Sequence, residues 1–220
     1  MTATLRPMEP DRTPLKGRLS HQEALPETVR KVLGSRVPRV IREGTKPGYR
    51  HAGVLLPLMR EEGTWKVLFT RRSHRVQHHK GQISFPGGAV DKEDASIEET
   101  VLRETCEEIG LSPDRIEILG RLDDVLTVAS NYVVHPLVGR ITLTENLVIN
   151  RAEVAGLLKV PLGMFTGALK GLYPVEYEGT RYETTAYKCG QDTIWGATAR
   201  ILENFMEIVG DSLSLPPTEK

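Results

Sequence analysis

Only two cysteines, Cys106 and Cys189, occur in the 220 residues, and neither belongs to a Cys-x-x-Cys pair. That is too few for a disulfide framework, so a reducing, cytoplasmic setting is the expectation. Excess charge of either sign is missing too: lysine plus arginine total 29, as do aspartate plus glutamate. No global field therefore draws the chain to nucleic acid or to an anionic membrane. There is no run of about eighteen apolar residues, which argues against a spanning helix. The opening MTATLRPMEPDRTPLKG lacks the continuous apolar segment of a secretory leader. The closing Pro217-Thr218-Glu219-Lys220 is not a peroxisomal address.

What is present suits one globular core: 39% hydrophobic and 26% charged residues over a length typical of a single domain. Residues 1–18 read as a mobile tail, 19–211 as the domain and 212–220 as a fraying end. From Ser20 to Ser35, Leu25, Val29, Val32 and Leu33 are spaced for burial on a helix, with Pro26 in its first turn. Gly53 to Met59 and Trp65 to Phe69 read as an antiparallel hairpin, and Val67-Leu68-Phe69, lacking polar alternation, predicts a strand covered on both faces. Further strands are expected at Ile118–Leu122, Tyr132–Ile141 and Thr185–Lys188. Tyr173 to Tyr187 reads as a loop or irregular hairpin suited to the organic part of a ligand. Glu153 to Leu158 suggests a short helix closed by Pro161. Asp192 or Thr193 would cap a last helix with Ile194, Ala197, Ile201, Phe205 and Ile208 on its core side. The fold class is α/β (α+β), a mixed sheet between helical layers.

The most informative stretch runs from Phe85 to Leu111. Ser96 is placed to cap a helix that Gly110, followed by Pro113, would end. At about 100° per residue, Glu104, Glu107 and Glu108 gather on one side, with Leu102, Cys106 and Ile109 expected on the core side. On that expectation Cys106 is a small buried side chain. Clustered carboxylates repel one another, and a hard divalent cation is the natural relief, Mg²⁺ in particular, since it binds a few carboxylates together with substrate phosphates. Just upstream, Phe85-Pro86-Gly87-Gly88 permits a sharp turn and close approach of backbone to a ligand. Before it lies the most basic stretch of the chain, with Arg71, Arg72, Arg75 and Lys80, a counter-charge for an anionic substrate. His78 and His79 are adjacent and would point to opposite faces of a strand, so they do not make a zinc site.

Arg103-Glu104-Thr105-Cys106-Glu107-Glu108-Ile109-Gly110-Leu111 resembles the box of the Nudix hydrolases, R-E-U-x-E-E-x-G-U, in which U is a bulky apolar residue. Thr105 stands at one U position, fourteen residues separate Gly88 from Arg103 where the general pattern has one fewer, and Glu93 or Asp94 takes the place of the early glutamate. The longer spacing is itself similar to the coenzyme A pyrophosphatase branch. Leu68-Phe69-Thr70-Arg71-Arg72-Ser73, then Gly81, then Phe85-Pro86-Gly87-Gly88 match that branch's upstream motif, with Gln77 where the branch has a second arginine.

The resemblance implies a Nudix-type sheet sandwiched between helices and metal-dependent hydrolysis of a phosphoric anhydride. Mg²⁺ or Mn²⁺ would be held by Glu104, Glu107, Glu108 and the Gly88 carbonyl. Arg103 would steady the glutamates, and Glu104 or a distal carboxylate such as Glu153 would orient the attacking water. Arg71, Arg72, Ser73, Gln77, Lys80, Gly81, Phe85, Gly87, Asp123 and Thr127 are the expected substrate contacts. The implied partner is a small nucleotide, of coenzyme A type, with the chain a monomer or homodimer. Two alternatives stay open: another substrate of the same chemistry (ADP-ribose, NADH, a diadenosine polyphosphate), or a non-catalytic nucleotide-binding regulator. The mark of the latter would be a lost box glutamate, and none of Glu104, Glu107 and Glu108 is lost.

Overall fold

The computed structural model describes residues 24–74, 81–127, 130–143, 147–165, 170–177 and 179–213. The first helix, α1 (Leu25–Gly34), has its proline in the first turn, where the missing N–H leaves no partner unsatisfied. Strands β1 (Arg50–Glu61) and β2 (Thr64–Arg72) form the expected hairpin. Their register closes at Glu61 opposite Thr64. Glu62 and Gly63 make the turn, both at positive φ (51° and 77°), the pair of conformations that matches the twist of the flanking strands. Short strands β3 (Ile83–Ser84) and β4 (Gly87–Ala89) follow, then α2 (Ile97–Ile109). After it come β5 (Ile116–Arg121), β6 (Val125–Thr127), β7 (Tyr132–Ile141), β8 (Val154–Pro161), β9 (Lys170–Tyr177), β10 (Thr180–Cys189), β11 (Asp192–Trp195) and α3 (Gly196–Val209).

The main sheet has the order β3-β2-β1-β7-β5, with β4 on β1, β6 on β7 and β8 on β2; β11-β10-β9 form a second sheet. The sheet is mixed, because β1 runs parallel to β7 and antiparallel to β2 and β4. Alternation along the strands builds a core on each face. Leu56, Leu58, Val67 and Phe69 pack toward α1 and α3 with Leu25, Val29, Leu202 and Phe205. Leu55, Met59, Leu68 and Leu137 pack toward α2 with Val101 and Ile109. Val67, Leu68 and Phe69 are each fully buried, so β2 is covered on both faces as its sequence required. Burying each such side chain stabilises the fold by about 1.5–3 kcal/mol.

Three local expectations are corrected. Glu153 to Leu158 does not form a helix: Val154–Pro161 is strand β8, with Leu158 opposite Phe69 on β2. A short apolar run carries no period that separates helix from strand, and the open edge of β2 decided it. Asp192 and Thr193 lie in β11 and do not cap a helix; α3 starts at Gly196 with Trp195 before it. Tyr173 to Tyr187 belongs to a regular antiparallel hairpin, Tyr173 facing Thr184. Leu213, in the stretch read as a tail, is buried at 7% exposure. Residues 1–18 and the start of the first expected helix lie outside the described residues.

Candidate active site

Helix α2 is fixed at both ends by the residues its sequence advertised. Ser96 Oγ accepts the Glu99 N–H at 3.1 Å, the Glu99 carboxylate accepts the Ala95 N–H at 2.7 Å, and Gly110 terminates the helix in the left-handed conformation at φ 70°. Its rotation differs from the expectation. Thr100, Val101, Thr105, Glu108 and Ile109 are the buried residues, whereas Cys106 is exposed and Leu102 only half-buried. Val101, Thr105 and Ile109 form an i, i+4, i+8 stripe against the sheet, so the carboxylate side adjoins the core side instead of opposing it. Glu108 is consequently 4% exposed. Cys189, the other cysteine, is buried, and burial followed by the charge of Asp192 pushes its thiol up to about 11, far from a reactive thiolate.

Strand β4 brings the Gly87-Gly88 pair against both β1 and α2. Gly88 sits opposite Gly53 of β1, and a Cβ at Gly88 would stand 2.6 Å from Glu104 Oε1. A Cβ at Gly87 would collide with the Gly53 carbonyl oxygen. The Gly87 N–H points the other way and reaches Glu108 Oε2 at 3.3 Å. Two side-chain-free residues thus let backbone and carboxylates meet.

Arg103 ties the cluster together. Its Nε and NH2 grip the Asp94 carboxylate at 3.0 and 2.9 Å, NH1 reaches Glu104 Oε1 at 2.8 Å and Glu107 Oε2 at 3.4 Å, and NH2 also reaches the Ala89 carbonyl at 3.2 Å. The two-pronged grip on Asp94 is the geometry a guanidinium favours. Between the two acids left open by the sequence, Asp94 is the one in the cluster, and the Arg103 guanidinium holds its carboxyl well below the usual range. Glu107 keeps about half of its side chain in solvent. Glu104 and Glu108 are drier. Burial raises the pKa of Glu104, and burial pushes Glu108 up to about 8 against the opposing pull of the Gly87 N–H and Arg72.

A fifth carboxylate comes from a different part of the chain. Glu153, just before β8, accepts the Ser73 N–H on its carbonyl at 2.7 Å and the Asn150 side-chain amide on Oε1 at 3.0 Å. Its charge adds to the burial that raises the pKa of both Glu104 and Glu108, and Asn150, which it holds, is itself bonded to the Glu108 carbonyl. The charge of Arg72 pulls the Glu108 carboxyl down, against burial, and the Arg72 Nε is buried without a hydrogen-bond partner among the described residues.

The remaining expected contacts divide. Gly81, at φ 70°, closes the base of the 72–82 loop through its N–H to the Arg72 carbonyl, and Ser73 is buried next to Glu153. Arg71 points to the other face of β2, where its NH2 pairs with both Asp192 oxygens at 2.6 and 2.7 Å. Phe85 is a core residue, stacked on Phe69 with ring centroids 5.0 Å apart. Asp123 is 6% exposed and bonded to Arg36, the Arg39 side chain and N–H, and Asn204. Burial alone would raise its carboxyl, but these partners hold it at about 2. Thr127 Oγ1 accepts the Tyr132 N–H at 2.8 Å and closes a turn. Arg71, Phe85, Asp123 and Thr127 are therefore not brought to the carboxylate cluster. Gln77 and Lys80 lie outside the described residues. The sequence reading missed Asn150, whose only signal was its place three residues before Glu153.

These residues suit a hard divalent cation. The donors are all oxygen, two are carboxyls that burial makes costly to ionise without a positive partner, and the Gly88 backbone lies against one of them. No three His, Cys, Asp or Glu side chains among the described residues form a ready-made cage. Three of the acids, Asp94, Glu104 and Glu107, are turned toward Arg103.

Comparison with known proteins identifies the family of the chain. The NUDIX domain model matches residues 49–170. The uncharacterized Nudix hydrolase NudL of Pectobacterium atrosepticum is 38% identical over 164 residues, 74% of this chain and 84% of that protein. Its namesake in Photorhabdus laumondii is 37% identical over 161 residues, 73% and 85% of the two chains. Among solved structures, a MutT/nudix family protein from Enterococcus faecalis superposes with a TM-score of 0.52 at 19% identity, covering 93% of this chain and 76% of that one, a likeness of fold.

Proposed function

The chain belongs to the Nudix hydrolase family, and from that premise we propose that it cleaves the diphosphate of coenzyme A or an acyl derivative, giving 3′,5′-ADP and 4′-phosphopantetheine or its acyl form. As a Nudix hydrolase it acts on a small nucleoside-diphosphate derivative; the choice of coenzyme A is the proposal. The observation that carries the reading is Arg72, whose Nε is buried without a hydrogen-bond partner among the described residues and whose charge acts on Glu108. A diphosphate is the ligand that needs a cation and carboxylate-bound metal at one place. The upstream motif supports the coenzyme A reading, since Leu68 to Gly88 runs through β2, β3 and β4 directly into the cluster.

Glu104, Glu108 and the Gly88 carbonyl would hold the Mg²⁺ or Mn²⁺, with Glu107 alongside. Such an ion, when bound, screens the diphosphate charge and withdraws electrons from phosphorus. Arg103 keeps Glu104 and Glu107 in place, and Arg72 takes up negative charge on the substrate. Glu153, exposed and not engaged by Arg103, is the base: its carboxylate accepts a proton as the water oxygen bonds to one phosphorus and the bond to the bridging oxygen breaks. Both products leave as phosphate monoesters without a covalent enzyme intermediate.

Hydrolysis of coenzyme A, ADP-ribose, NADH, diadenosine tetraphosphate and dGTP, compared as kcat/KM, tests the proposal. Coenzyme A leads if it holds. An ADP-ribose lead of about a hundredfold, a margin that pocket contacts supply, overturns it. Gln77 favours that second reading, because glutamine brings no charge where the coenzyme A motif has arginine.

A further inference from the structure

We infer that Asn150 is a positioning residue for the reaction, holding the Glu153 carboxylate at the cluster; this rests on the role of Glu153 proposed above. Every polar atom of Asn150 is engaged. Its N–H donates to the Glu108 carbonyl at 2.9 Å, one of the last carbonyls of α2, which have no partner within the helix. Its own carbonyl accepts the Glu153 and Val154 N–H groups at 3.1 and 2.8 Å. Its side-chain oxygen accepts the Ala152 N–H at 3.1 Å, and its Nδ2 donates to Glu153 Oε1 at 3.0 Å. The two ends of the amide are thereby assigned, for a flipped amide would set oxygen against carboxylate and N–H₂ against N–H.

The effect is a rigid bracket between the end of the box helix and the base. Glu153 is fixed through its carbonyl to Ser73 at the end of β2, and through its carboxylate to Asn150, which is itself fixed to Glu108. Gly110 makes room for the bracket. A Cβ there would stand 2.9 Å from both Cβ and the carbonyl oxygen of Val148, two residues before Asn150. The glycine that ends α2 therefore also admits the segment that delivers Glu153. Without the Asn150 amide the Glu153 residue keeps its backbone anchor but loses the side-chain hydrogen bond that selects its rotamer.

The substitutions Asn150→Ala, Asn150→Asp and Glu153→Gln, with the two double variants, test this in the full chain. Activity is measured with Mg²⁺ on whichever of coenzyme A, ADP-ribose, NADH and diadenosine tetraphosphate the wild type cleaves best. Asparagine and aspartate serve a turn equally well through the side-chain oxygen, whereas only asparagine can donate to a carboxylate. The expected result is a fall in kcat of about tenfold for Asn150→Ala and more for Asn150→Asp, with KM within about threefold. Glu153→Gln should lower kcat by about a hundredfold, the range for a lost general base. Either double variant should be no slower than Glu153→Gln, since one residue acts through the other. Asn150→Asp with near-normal kcat, or fully additive losses in the doubles, overturns the inference. If Asn150→Asp does not fold, by its melting curve, the Ala cycle decides alone. Normal turnover by Glu153→Gln overturns the assignment of the base and the bracket with it. Failure of the wild type on every substrate overturns the function instead, so the two failures are told apart.

Discussion

Replacing Gly88 with alanine separates the site from the fold. The added Cβ would run into the Glu104 carboxyl carbon and stand 2.5 Å from its Oε2, against about 3.3 Å for a tolerable carbon–oxygen contact. One of the two must yield by roughly 0.8 Å or more on that scale. Strand β4 is held on β1 by the Ala52–Ala89 to Val54–Gly87 ladder, so the backbone is the stiffer partner and the carboxylate moves. A side-chain tip yields cheaply, which keeps the loss of stability near the low end of the about 1–3 kcal/mol typical of overpacking. The displaced group, however, is a proposed metal ligand held at 2.8 Å by Arg103, and a misplacement on the order of 1 Å at a reacting centre costs about a hundredfold in rate. Melting temperature and kcat/KM, measured side by side with Gly156→Ala as control, check this. A Cβ at Gly156 of β8 meets nothing within 4 Å, so the control should match wild type in both. A Gly88→Ala protein with normal kcat/KM would refute the claim that the Glu104 carboxylate works where the glycine lets it lie.

Three further outcomes are expected. With its carboxyl pushed up to about 8 in the metal-free protein, Glu108 binds a proton in the folded chain that the unfolded chain has lost. Its contribution is therefore full below about pH 4.5 and lost as pH rises through about 8, so metal-free protein should melt lower at pH 8.5 than at pH 5. Glu108→Gln should remove that component of the slope while abolishing turnover; an unchanged slope would refute the burial argument. Binding of Mn²⁺ at pH 7 should release close to one proton, seen as a buffer-dependent heat in calorimetry, and a buffer-independent heat would contradict it. Asp123→Ala should cost about 2 kcal/mol through the loss of buried charge-assisted bonds to Arg36 and Arg39, lowering the melting temperature with KM unchanged. A raised KM at normal stability would instead restore Asp123 to the substrate site.

The parts of the site legible from sequence were those encoded locally. Ser96 and Gly110 bounded α2 because caps act on their own helix, and the spacing of Glu104, Glu107 and Glu108 fixed their side because they share one helix. What depended on neighbouring elements was not legible. The rotation of α2 against the sheet buried Thr105 and Glu108 and exposed Cys106, since a helix with so few apolar residues does not declare which flank of its stripe is covered. The run from Glu153 became a strand because β2 offered an edge. Arg71 and Arg72 look interchangeable in a basic stretch, yet alternation along β2 sends Arg71 to Asp192 and puts Arg72 on the opposite face, where its charge acts on Glu108. Asp123 and Phe85 matched expected contacts by position, but Arg36 and Arg39 from the far end of the chain took the first and Phe69 the second.

Burial is the main reason that the Glu108 carboxyl is pushed up, and the neighbouring acids add to it. Asp94, Glu104, Glu107, Glu108 and Glu153 supply five acids, and Arg72 and Arg103 two permanent cations. Fully ionised, two minus five leaves −3. Protonating Glu108, the driest of them, leaves −2 at neutral pH, the charge that one divalent ion would cancel. When Glu108 then gives up its proton to serve as a ligand, the balance with the ion is −1, and a diphosphate adds further negative charge to it. The site consequently calls for more positive charge than α2 and its partners provide. Arg71 does not supply it, because Asp192 holds it on the far face of β2. We propose that the demand falls on a further metal ion or on the basic residues that follow Arg72 in sequence, Arg75 and Lys80, whose charge would then bear on which diphosphate the site accepts.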